Sequence, residues 1–164
     1  MAKKAAAPGS GSLRAIGVLM ITLGTSAVVI GLSIYVIGGA ATGSVTQELF
    51  ARVTSQPHPA AWSPDSTMES EFGFYAPLWI AFGIVLIVTA RDLPRTLERV
   101  PILSALFFAG GVGRGLAWAR AGPPRSAFAF LMMIELITPI LLIALWAMAR
   151  LPGPHQQTTE LEGP

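Results

Sequence analysis

Apolar residues gather into four long stretches along this chain, at about 13–41, 71–90, 100–119 and 126–149, with polar connections between them. Each has roughly the 20 residues needed to cross a hydrocarbon core about 30 Å thick. Lipid offers no water to bond exposed backbone groups, so spans of this number and length are expected to be helices. The predicted fold class is all-α: an integral membrane four-helix bundle. The connections over 91–99 and 120–125 are short, so the helices that they join are expected to be antiparallel. The connection over 42–70 is the longest. Within it Ser44 and Gln47 have capping-box spacing, and Val45, Leu49 and Val53 recur every fourth residue. This predicts a short interfacial helix in the first outer loop, ended by Gln56-Pro57-His58-Pro59. Ser66 and Glu69 repeat the capping-box spacing and predict a helix start in which Glu69 serves as a cap. Around the membrane domain (13–149), residues 1–12 read as a flexible basic N-terminus and 150–164 as a flexible cytoplasmic tail. Lys3 and Lys4 mimic a signal peptide, but the apolar run after them exceeds the roughly 7–15 residues of a signal h-region, so an uncleaved helix is expected.

Composition narrows the class. Apolar residues make up 52% and charged residues 12% of the chain, and mean hydropathy is +0.60. A soluble domain carries about 25% charged residues, so half the usual surface charge is present. The absence of cysteine excludes disulfides, thiolate metal ligation, a cysteine nucleophile and a lipoprotein anchor. No basic run with interleaved aromatics exists, so nucleic acid is not an expected partner. Nine arginines against two lysines, with no asparagine, suggest a GC-rich bacterial genome and hence a bacterial plasma (inner) membrane. Lys3, Lys4, Arg14, Arg91, Arg95, Arg99 and Arg150 fall on one face of the expected topology; only Arg52, Arg120 and Arg125 fall on the other. The positive-inside rule then puts both termini in the cytoplasm. Trp62, Trp79, Trp118 and Trp146 are expected near span ends or in the outer loop, as amphipathic rings prefer.

Small residues mark packing faces. Gly17, Gly24, Gly31 and Gly38 recur every seventh residue in the first span, a seam that lets another helix approach closely. Ala76, Gly83 and Ala90 repeat the spacing in the second, and Gly111, Gly115 and Ala119 form a small ridge in the third. Together they favour packing within the bundle, with one seam left over for a partner as the alternative.

Two spans carry a charge inside the membrane: Arg114 in the third and Glu135 in the fourth. Ionisable groups there are costly and face a partner or a cavity. Counted from the outer ends, Arg114 lies roughly 7–8 Å deep and Glu135 roughly 13–14 Å at 1.5 Å per residue. The difference is within reach of a guanidinium stem, and Glu71 sits at the outer mouth of the second span. An arginine fork carries five donors and can take both carboxylates. Pro139, four residues after Glu135, leaves the Glu135 carbonyl without its helical donor and is a candidate helix break. Span three has eight Leu, Ile, Phe or Val residues to offset its arginine, about −2 to −5 kcal/mol against about +2.5 to +3.5, so it needs a partner. Span four, with eleven Leu, Ile or Phe residues, inserts alone. A pair that only fixes helix register is the competing reading. His58 and His155 are isolated, and a zinc site needs three or four converging ligands, so neither metal nor other cofactor is expected. No phosphate loop or nucleophile elbow occurs, and no catalytic residue is assigned.

Ser70-Glu71-Phe72-Gly73-Phe74-Tyr75-Ala76, Gly113-Arg114, Gly122-Pro123 and Glu135 resemble the bacterial domain of unknown function (DUF) 4345 family over about 14–149. The resemblance implies a four-helix membrane domain with no established activity, and Glu71, Arg114 and Glu135 match its polar positions. The family usually has arginine where this chain has Gly73, and glycine where it has Pro77. If the absent arginine normally pairs with Glu71, then Glu71 is freer here to turn toward Arg114. The leading functional expectation is a non-enzymatic scaffold or accessory subunit of a larger membrane assembly, with a membrane-protein partner or self-association in the bilayer. The alternative is a lipid- or small-anion-binding carrier that uses the Arg114–Glu135 site. An intramembrane enzyme using Glu135 as acid or base ranks third, for want of a nucleophile or metal.

Overall fold

The computed structural model describes residues 10–57 and 63–150, so His58, Trp62, Lys3, Lys4 and His155, with the segments around them, lie outside the described residues. The described residues form helices and turns without a strand: α1 (Ser10–Ile37), α2 (Gly39–Thr54), α3 (Ser66–Arg91), α4 (Leu93–Thr96), a 3-10 turn (Leu97–Arg99), α5 (Val100–Ala121) and α6 (Ser126–Arg150). Four segments are long and apolar enough to cross a membrane: Gly11–Ile37, Ser66–Arg91, Leu93–Ala121 and Ser126–Arg150, with mean hydropathies of 2.2, 2.0, 1.5 and 2.5.

The first span differs from expectation. Helix α1 stops at Ile37, short of residue 41, and Gly38 adopts φ +88, a conformation that glycine reaches without steric cost. The break is confined to one residue. Gly38 N–H still donates to the Ile34 carbonyl at 3.0 Å, and Thr42 N–H donates to the Gly38 carbonyl at 3.1 Å. Helix α2 therefore starts at Gly39, and Ser44 lies within it instead of capping it. Its first amides are held from elsewhere: Gly39 and Ala40 donate to the Glu69 carboxylate at 2.6 and 3.1 Å. Glu69 is thus a cap, but of α2 and not of its own helix. At the start of α3 the cap is Asp65, whose Oδ1 accepts from Met68 N–H at 2.8 Å, in place of the expected Ser66–Glu69 box. Asp65 is the better-placed acceptor because the helix begins at Ser66, one residue earlier than the box requires.

Helices α1 and α3 are the most closely apposed pair, and small residues explain why. A Cβ on Gly24 would lie 2.6 Å from the Gly83 carbonyl oxygen, and one on Gly83 would lie 2.5 Å from that of Gly24. Gly31 faces Ala76 in the same way at 2.8 Å, and Gly17 faces Ala90 at 4.0 Å. These are the rungs of one antiparallel seam. Gly38, the fourth glycine of the series, serves the break instead. Helices α5 and α6 form the second hairpin, closed by Gly122 (φ +89) and Pro123-Pro124, and α1 packs on α6 to join the hairpins. The half of the bundle nearer Ser10 and Arg150 is densely filled by Ile16, Met20, Leu86, Leu93, Val100, Leu103 and Leu142. There Arg150 stacks over Trp146 at 4.4 Å and also pairs with Glu98. The other half is built differently and holds the site.

Candidate intramembrane site

Glycine sets the position of the charged pair. On α5, Gly111 lies against α6, where an added Cβ would meet the Leu136 side chain at 2.9 Å and the Glu135 Cβ at 3.0 Å. This close approach places Arg114 beside Glu135, and its Nε–H donates to Glu135 Oε2 at 2.8 Å. Gly115, one turn further on, sits 3.9 Å from Met132 Sδ on the same measure. The two partners are unequally covered: the Glu135 side chain is 5% exposed and that of Arg114 33%. A guanidinium has five N–H donors, so the bond through Nε leaves its outer edge turned to the space beside it.

That space is a cavity of about 570 Å³, within the roughly 300–1,000 Å³ typical of small-molecule sites. Arg114 and Glu135 line it together with residues of all four long helices and α2. Three of its hydroxyls are engaged by backbone carbonyls. Ser26 Oγ donates to the Thr22 carbonyl at 2.9 Å, Thr42 Oγ1 to that of Gly38 at 2.8 Å and Thr46 Oγ1 to that of Thr42 at 2.8 Å. Apart from the ion pair, the walls are therefore mostly apolar or aromatic, with Phe72, Tyr75, Trp79, Phe107 and Phe128 contributing rings.

Helix α2 forms the roof. Gly39, Thr42, Gly43 and Thr46 face the cavity at helical spacing, while Val45, Leu49 and Val53 point away and are 61%, 62% and 77% exposed. Four attachments hold α2 down: the Glu69 carboxylate at its start, Ser33 Oγ against Thr42 Oγ1 at 2.9 Å, the Gln47 side chain accepting from Ala127 N–H at 3.2 Å, and Phe50 against Phe130 with ring centroids 5.4 Å apart. A second opening lies between α3 and α5, a groove of about 770 Å³ that reaches the same Arg114 and Glu135. These two helices meet chiefly through aromatic rings, with Phe82 stacked on Phe107 at 6.1 Å.

The expected site residues are thus distributed as follows. Arg114 and Glu135 come together, with Gly111 and Gly115 as their spacers. Glu71 is exposed near the start of α3 and forms no ion pair with Arg114. Pro139 is buried within α6, which runs unbroken from Ser126 to Arg150. It removes one backbone donor but does not break the helix, since packing on both sides holds the axis. Trp79 lies mid-helix on the cavity wall and not at a span end. The α2 roof and the aromatic stripe Phe72–Tyr75–Trp79 were missed in the sequence. Their signal was spacing: residues 39, 42, 43 and 46 on one helical face, and 72, 75 and 79 on another. Among the described residues, no group of three or more His, Asp or Glu side chains is placed to hold a metal.

Four apolar crossing helices, a glycine-spaced seam and an ion pair beside a cavity define a small multi-pass helical membrane protein. The match of residues 11–146 to the family described as domain of unknown function (DUF4345) shows that the chain belongs to that family. No curated protein and no solved structure matches it.

Proposed function

We propose that this protein binds a lipid or small anion inside the membrane, with Arg114 as the anchor. One observation supports this most: the partly exposed guanidinium borders a cavity of about 570 Å³ whose other walls are chiefly apolar. A pair serving only to fix register needs no such space, and a well-packed bundle would fill it. One support for the scaffold reading, the glycine seam of the first span, is occupied by α3 at Gly17, Gly24 and Gly31; the small soluble mass and the lack of catalytic motifs fit either reading. In this reading the protein resides in a bacterial plasma membrane with both termini cytoplasmic, and the cavity lies in the outer leaflet half.

Native mass spectrometry of the protein released from mild detergent tests the proposal. Wild-type protein is expected to retain an anionic or lipid adduct. Arg114→Leu/Glu135→Leu should stay folded, because an apolar pair of similar volume can replace a buried ion pair, and should lose the adduct. Arg114→Lys keeps the charge without the fork and should retain less. An adduct held equally by the double leucine variant would refute Arg114 as the anchor. A stoichiometric protein partner with no bound lipid or anion would favour the accessory-subunit reading instead.

A further inference from the structure

We infer that the ligand is an amphiphile with one anionic head and one apolar tail, and that it reaches Arg114 sideways from the bilayer through the groove between α3 and α5. This rests on the binding function proposed above and adds the ligand class and the route. Three observations carry it. The approach from the loop side is roofed by α2, which is fastened at both ends and along its length by Glu69, Ser33, Gln47 and Phe50. The lateral approach is not fastened: α3 and α5 touch through the Phe82–Phe107 rings, and the outer rim of the groove is formed by Leu78 and Leu106, 53% and 59% exposed. Finally, Arg114 and Glu135 belong to both spaces, so a head on the guanidinium can be reached through the groove while its tail lies in the cavity.

The charges and the walls restrict the ligand further. Arg114 and Glu135 are neutral as a pair, so every charge on the ligand adds to the net charge of a low-dielectric site. A single negative charge is therefore favoured over two, and a carboxylate over a phosphate monoester. The Ser26, Thr42 and Thr46 hydroxyls are bonded to backbone carbonyls and the rest of the lining is mainly apolar, so beyond the pair the cavity offers a second headgroup little besides Thr22 and Tyr75. It suits a chain. Along α1 the lining runs from Thr22 to Ile34, about 18 Å at 1.5 Å per residue, which fits an extended tail better than a compact solute.

The absence of cysteine makes the route testable by tethering. In one variant, Phe82→Cys/Phe107→Cys, a short bis-maleimide closes the lateral groove. In the other, Phe50→Cys/Phe130→Cys, the same reagent fastens the roof to α6 at rings that do not line the cavity. Each is compared with itself before tethering, in phosphatidylcholine nanodiscs containing palmitate with a diazirine near its tail end. Photolabelling of residues 22–34 on α1 reports arrival in the cavity. Tethering the groove should slow labelling by about tenfold or more, as closing a gate does, whereas tethering the roof should not change it. Unlabelled palmitate should compete and excess acetate, which has the head without the tail, should not. Slowing by the roof tether, or by neither tether, would overturn the route while leaving the binding function standing. Competition by acetate would overturn the amphiphile. No labelling above that of the bilayer-facing segments in any untethered protein would overturn the binding function itself.

Discussion

Adding one methyl group at Gly83 should separate the two most closely packed helices of this protein. In Gly83→Ala the new Cβ would lie 2.5 Å from the Gly24 carbonyl oxygen, 2.8 Å from Val28 Cγ2 and 3.0 Å from Val28 N. Carbon contacts settle at about 3.5–4.0 Å, so the backbones must part by roughly 1 Å, and contacts along the seam weaken. Overpacking of this kind costs about 1–3 kcal/mol, against which alanine gains up to about 1 kcal/mol over glycine in helix propensity. The net expectation is a loss of up to about 2 kcal/mol. Gly113→Ala provides the same chemical change in open space, since an added Cβ there meets nothing within 4 Å, and should gain up to about 1 kcal/mol. The propensity gain is common to both, so the two substitutions should differ by the overpacking cost of about 1–3 kcal/mol, read as the shift between their unfolding midpoints when SDS is titrated into mixed micelles under far-UV circular dichroism. Gly24→Ala should resemble Gly83→Ala, and the double variant should cost less than the sum because one methyl already parts the helices. If Gly83→Ala and Gly113→Ala shift the midpoint alike, close approach of α1 and α3 is not what the seam provides.

Three further outcomes are expected. Arg114→Leu should destabilise by about 3 kcal/mol because it leaves the covered Glu135 carboxylate unpaired; Glu135→Leu should cost less, since Arg114 is partly exposed, and the double variant should cost less than the two together in the same titration. Glu69→Ala should remove both acceptors at the start of α2 at a cost of about 1–3 kcal/mol, with faster amide hydrogen exchange at Gly39 and Ala40; unchanged exchange there would contradict the cap. A reporter active only outside the cytoplasm should work when inserted in the 54–62 connection and be silent after Arg150, and activity at the second position would contradict cytoplasmic termini.

What could be read from the sequence, and what could not, divides by the range of the determining contact. The spans were legible because the bilayer imposes length and hydropathy on each segment separately. The closeness of Arg114 and Glu135 was legible because a short connection leaves an antiparallel pair little freedom of register, so depth can be counted from the shared end. The end of α1 was not. Gly38 completed a regular series of seven, and Ala40 and Ala41 prolonged the apolar run, so nothing local announced a break. The acceptors that stabilise a new helix start at Gly39 come from Glu69, thirty residues away. The same carboxylate also fits a local capping box with Ser66, and spacing alone could not show that Asp65 would take that role. The cavity was hidden for a related reason: its walls are ordinary apolar spacings, and only the packing of α2 across the bundle shows that they enclose space.

The placement of glycine links stability to function in this fold. In the half nearer the chain ends, large apolar side chains fill the interior, and the α1–α3 seam needs only enough small residues to bring two backbones together. In the other half, Gly111 draws α5 onto α6 and places the ion pair, but Gly113, on the opposite side of Arg114, has nothing within 4 Å and opens on the groove. Two glycines separated by one residue therefore serve opposite ends, one for contact and one for room. A bundle selected for packing alone would gain from a larger side chain at Gly113, where dispersion contacts are available to be made. That the space stands beside the most covered carboxylate of the described residues is the physical argument for a ligand. It also explains why the lateral wall, joined by stacked rings in place of interlocked backbones, is the side on which the bundle can open without disturbing its core.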